Sequence, residues 1–96
     1  MATVHIGLLS VEIFIPAANS LKAKRWVLKS LKDRLRSKYN ISVAELDGED
    51  KWQRALFGIC MVGSDKGYIN GVLENVLSFI ETIHDVQIIG HQLEFL

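Results

Sequence analysis

Proline and cysteine occur once each in these 96 residues, as Pro16 and Cys60. A single cysteine excludes an internal disulfide framework. Its place within the apolar run Ala55–Val62 suggests a buried, inert thiol rather than a nucleophile. With 49% apolar residues and no low-complexity stretch, the chain is not a disordered one. No apolar run reaches the ~20 residues of a membrane span. The start, MATVHIGLLS, lacks the basic region and small-residue cleavage site of a secretory signal, so a cytoplasmic location is expected. His5, His84 and His91 are scattered, with no i, i+4 pair and no second cysteine to complete a metal site. Neither a phosphate-binding Walker loop nor a G-x-G-x-x-G is present. No cofactor is therefore expected, and an enzyme is the least favoured class.

Net charge is also missing, but only in the sum. Eleven basic residues balance eleven acidic ones. The segment Ser20–Tyr39, SLKAKRWVLKSLKDRLRSKY, holds eight of the basic residues and a single acid, Asp33. It carries +7 and leaves −7 on the rest of the chain. So localised a positive field suggests an anionic partner, of which nucleic acid is the commonest.

The length suits one domain, 1–96, with one core. Thr3–Ile15 reads as a strand that ends at Pro16. Asn19 or Ser20 offers an N-cap, and Leu21, Leu28, Leu31, Leu35 and Tyr39 then recur at helical spacing. Asn40–Asp47 and Trp52–Val62 read as strands joined by the turn Gly48-Glu49-Asp50-Lys51. Ser64 and Asp65 are N-cap signals for a second helix with the stripe Ile69, Val72, Leu73, Val76, Leu77 and Ile80. Val86–Phe95 is the last strand, interrupted by Gly90. The order β-α-β-β-α-β predicts an α+β ferredoxin-like sandwich, a four-stranded antiparallel sheet with two helices on one face. Along the first strand Gly7, Leu9, Val11, Ile13 and Ile15 form the more uniformly apolar set and should face the helices. The alternate set, from Val4 to Phe14, is still largely apolar, which an open face in water should not be. A homodimer is expected to cover it.

The stretch SLKAKRWVLKSLKDRLRSKYNISVAELD, followed by WQRALFGIC, resembles the YlxP-like family of small bacterial proteins. Ala23 stands where family members often carry an acid, and the Gly48–Lys51 turn differs in detail. The resemblance implies a ferredoxin-like fold and no established activity. Genes of that family often neighbour those of translation initiation and ribosome maturation, so an RNA-linked role is what the resemblance implies.

On a helical wheel Lys22, Arg25, Lys29, Lys32 and Arg36 fall within an arc of about 80°, beside the leucine stripe's opposite face. At ~1.5 Å per residue they span roughly 21 Å, enough to follow several phosphates. Trp26 lies next to Lys22 and Lys29 and almost opposite the leucines, placed either to pack against a loop, a second subunit or the lysine stems, or to stack on a base. Lys24 falls towards the core, from where its ammonium should snorkel past the sheet edge. Ser20, free N–H groups and the cations Lys22, Lys24 and Arg25 together suggest a phosphate pocket at the helix start. Arg54 is expected to pair across the hairpin with Glu45 or Asp47, and Trp52 to cap one end of the core. Glu12, Glu45, Arg54 and Glu94 suggest a weaker charged cluster on the sheet. RNA-recognition motifs need aromatics on the two central strands, where only Phe14 and Phe57 are available, so the helix is the better RNA reader. The reading favoured here is a non-enzymatic accessory protein of ribosome assembly or translation that binds structured RNA or a ribosomal particle. A protein-interaction or small-ligand regulatory domain is the alternative.

Overall fold

The computed structural model describes residues 3–47 and 53–96. Within them the chain runs β1 (His5–Phe14), α1 (Leu21–Lys38), β2 (Ser42–Asp47), β3 (Arg54–Gly63), α2 (Lys66–Glu81) and β4 (Gln87–Phe95). The four strands form one antiparallel sheet in the order β2-β3-β1-β4. Every predicted element is found, with ends shifted by up to two residues. The expected turn Gly48–Lys51 and the Trp52 cap lie outside the described residues.

The alternation along β1 decides which side of the sheet is covered. Leu9, Val11, Ile13 and Ile15 are almost fully buried, as are Ala55, Phe57 and Ile59 of β3. Onto them pack Leu28, Leu31 and Leu35 of α1 and Ile69, Leu73, Val76 and Ile80 of α2. The two helices also touch each other, so they share that side. The Tyr39 hydroxyl donates to the Asn75 carbonyl at 3.3 Å, and the Tyr39 and Phe79 rings meet edge-on at 6.2 Å. Arg34 and Lys38 of α1 place their cations 5.8 and 5.2 Å from the centre of the Phe79 ring. Gly7 lets α2 sit directly on the sheet, because a Cβ there would lie 2.5 Å from Ile69 Cγ2.

Both helix starts obey their caps. The Ser20 hydroxyl accepts the Ala23 N–H at 3.1 Å, and the Asp65 carboxylate accepts the Gly67 N–H at 3.1 Å. The first turn of α1 contains no acid.

Register overturns one of the two partners expected for Arg54, and the burial expected for Cys60. Glu45 stands opposite Phe57, on the helix side of the sheet, because it follows the buried Val43 by two residues in unbroken register; the bulge at Leu46 comes after it and puts Asp47 opposite Leu56. Glu45 is reached there by Lys32 of α1 at 3.9 Å, whereas Arg54 stands opposite Phe14 on the other face. The Arg54–Glu45 pair therefore does not form, and Glu45 does not join Glu12, Arg54 and Glu94. Cys60 is opposite Leu8 and Ser42, on the uncovered face, and is only partly buried. It belongs to the sheet's open surface, not to its core.

Candidate functional site

The leucines that seat α1 on the sheet also fix which of its cations reach solvent. Lys32 and Arg36 lie on the flank that overhangs β2. Arg36 Nη2 donates to the Val43 carbonyl at 2.8 Å, and Lys32 Nζ lies 3.9 Å from Glu45 Oε1. These two side chains tie the helix to the edge strand, where a satisfied carbonyl also discourages pairing with another chain. Arg34 and Lys38 turn the other way, over Phe79.

Lys24 is only 2% exposed, among Leu28, Leu31 and Leu35 on the buried side of α1, and it has an interaction partner. It does not snorkel to solvent as its wheel position suggested, and this removes it from the accessible surface. Ser20 is likewise engaged, since its hydroxyl already accepts one of the helix's first free N–H groups.

What remains is concentrated in the first half of α1. Lys22, Arg25, Trp26 and Lys29 are all exposed. Neither Lys22 nor Arg25 has a carboxylate partner among the described residues. Trp26 is 76% exposed, the most exposed large apolar side chain among them. Its indole separates two open hollows. One, of about 600 Å³, is lined by Ser20, Lys22, Ala23, Arg25, Val27 and Lys29 as well as the indole. The other, of about 290 Å³, adds Ser30, Asp33 and Arg34. The larger hollow is mostly apolar, with cations at its margin. A planar group fits such a floor while its anionic substituents meet the ammonium and guanidinium groups.

Lys29 is partly neutralised, since its ammonium donates to Asp33 Oδ2 at 2.8 Å with both side chains largely in water. That hydrogen bond, helped by the positive fields of Lys29, Arg36 and Lys32, holds the Asp33 carboxyl below the usual aspartate range against a smaller opposing effect of desolvation. An exposed pair of this kind is weak and exchanges readily for a phosphate.

Of the eight residues singled out by sequence, the structure brings Lys22, Arg25, Trp26 and Lys29 to one accessible surface, with Ser20 at its rim. It assigns Lys32 and Arg36 to the β2 edge and Lys24 to the interior. Sequence reasoning missed Ser30 and Arg34 beside the indole. Their separation from Trp26, four and eight residues, was the available signal. Among the described residues no group of three or more His, Cys, Asp or Glu side chains is arranged to hold a metal ion, and no helix is long and apolar enough to cross a membrane.

Comparison with known proteins agrees with this architecture. A family described as a protein of unknown function, DUF503, matches residues 6–93. The chain is 39% identical over 82 residues to the uncharacterised protein YlxP of Bacillus subtilis (strain 168), covering 85% of this chain and 89% of that protein. Among solved structures it is similar to the de novo designed protein Foldit4, with a TM-score of 0.57 over 98% of this chain and 97% of that one. At 10% identity, that likeness concerns the fold alone.

Proposed function

For a chain that belongs to the DUF503 family of proteins of unknown function, we propose a non-enzymatic accessory role in ribosome assembly or translation, exercised by contact with RNA through the first half of α1. The observation that carries this reading is Trp26, an indole held in water between two hollows and bordered by Lys22, Arg25, Lys29 and Arg34. An exposed indole that borders a mostly apolar hollow and is flanked by cations is suited to take a flat anionic ligand. Aromatic faces accept any unstacked base, and the surrounding cations accept its phosphates. The translation-linked gene setting implied by the YlxP resemblance makes RNA the anion of choice. Lys22 and Arg25 neutralise phosphates, Lys29 exchanges Asp33 for a third, and Trp26 stacks on a base in a loop or at a strand end.

The test is a binding titration with ribosomal RNA fragments and ribosomal particles at several salt concentrations. Lys22→Glu with Arg25→Glu should remove binding while circular dichroism stays unchanged. In wild type, log K should fall linearly with log salt at a slope of about −0.7 to −0.9 per phosphate contacted. If the doubly reversed protein binds as tightly as wild type with the same slope, the surface is merely solvated. A shallow salt response with an acidic protein bound instead would favour the protein-interaction reading.

A further inference from the structure

Among the described residues, no element covers the side of the sheet opposite the helices. It presents Ile6, Leu8, Ser10, Glu12 and Phe14 of β1 beside Val62, Cys60, Gly58, Leu56 and Arg54 of β3, paired in that order. Val62 is 62% exposed and Leu46, whose Cδ1 lies 2.9 Å from where a Gly58 Cβ would be, is 56% exposed. At the register positions of this face the four strands carry the charged residues Glu12, Asp47, Arg54 and Glu94. Water therefore meets a largely apolar strip along the two central strands, made by Ile6, Leu8 and Phe14 of β1 with Val62, Cys60 and Leu56 of β3 and crossed by Ser10 and Glu12.

We propose that this face is a homodimer interface, in which two copies stack their sheets about a two-fold axis. The proposal stands apart from the RNA reading. Two properties identify a second copy as the occupant. The first is area: strands of up to ten residues at ~3.3 Å each, four abreast at ~4.8 Å, present about 600 Å² per protomer before side-chain relief. Two such faces approach the ~1,200–2,000 Å² buried by stable complexes. The second is charge. Association through the helix layer would oppose two segments of +7, whereas the sheet face carries one base against three acids, a net charge of only −2. Stacking sheets ~10 Å apart, each backed by a helix layer ~10 Å beyond, keeps the two α1 helices ~30 Å apart, well beyond a Debye length of ~8–10 Å. The low, mixed charge also gives no complementarity to a strongly acidic or basic partner. An isologous contact of this kind closes on itself and covers the strip in both copies.

Cys60 is a built-in reporter, because it lies within the strip and is partly exposed in the protomer. Light scattering of the wild-type chain at about 100 μM should give twice the 10.8 kDa protomer mass. Leu46→Lys with Val62→Lys charges the face at two well-separated, already exposed points and should give a folded 10.8 kDa monomer. Tyr68→Lys, equally exposed at 63% but on α2, should remain dimeric. Alkylation of wild-type Cys60 by iodoacetamide should be at least about tenfold slower in the dimer than after dilution to monomer. That readout needs no variant and is independent of any folding defect. A wild-type monomer at 100 μM, a dimer that survives both lysines, or a Cys60 rate independent of dilution across the dissociation range would each overturn the proposal.

Discussion

Gly7→Ala and Gly71→Ala add the same methyl group with opposite expected effects. Gly7 lies in β1 beneath α2, and an added Cβ would stand 2.5 Å from Ile69 Cγ2 and 2.9 Å from Leu73 Cδ1. Both neighbours are fully buried, and Ile69 is branched at Cβ, so neither can swing aside without losing its rotamer or shifting α2 off the sheet. Overpacking of this kind costs about 1–3 kcal/mol. Gly71 sits inside α2 with nothing within 4 Å of its added Cβ. There the methyl meets no obstacle and removes backbone freedom from the unfolded chain, a gain of about 0.5–1 kcal/mol. In a domain of this size 1 kcal/mol moves Tm by ~4–8 °C, so the two variants should differ by roughly 6–30 °C. Urea unfolding with a common m-value supplies the free energies. A Gly7→Ala protein as stable as wild type would mean that α2 does not rest on β1 as described, and the packing argument would fail.

Four further outcomes follow from named contacts. Ser20→Ala removes the acceptor of the Ala23 N–H and should cost about 0.5–2 kcal/mol in urea unfolding, while Ser20→Asp should restore most of it; equal loss in both would deny the cap. Arg36→Ala leaves the Val43 carbonyl without its 2.8 Å donor, so amide exchange along β2 should quicken and stability drop by about 1 kcal/mol, with no drop contradicting the tie. Asp33 should titrate below the usual aspartate range by carboxyl NMR and move upward in Lys29→Gln. With the folded pKa depressed, the pair's small contribution is present above the unfolded aspartate pKa and lost as pH falls through the folded value; an unshifted Lys29→Gln titration would refute the cause. Trp26→Ala should leave stability within about 0.5 kcal/mol, since the ring is mostly in water, yet weaken RNA binding by about 1–3 kcal/mol per stacked base.

Much of this architecture was legible because its periods are clean. The alternation Gly7, Leu9, Val11, Ile13, Ile15 identified the covered face, and the leucine spacing of α1 placed Trp26 in solvent. The same wheel could not show that Lys32 and Arg36 are engaged, because it contains no β2. Their partners depend on strand register, which puts Val43 and Glu45 on the helix side of β2. The run Ala55–Val62 is apolar on both faces, so it concealed the position of Cys60; the charged Arg54, six residues away and of the same parity, was the clue. Lys24 reached the interior because its place in the core stripe prevailed over the usual preference of lysine for water.

The claim that α1 meets RNA is tested most directly by ultraviolet crosslinking of the native protein in cells, followed by sequencing of attached RNA and mass mapping of the attached peptide. The account predicts ribosomal RNA as the recovered nucleic acid and a crosslinked peptide that contains Trp26 and its flanking Arg25 and Lys29. Absence of crosslinked RNA under conditions that capture known RNA-binding proteins, or crosslinks confined to the sheet or α2, would contradict it.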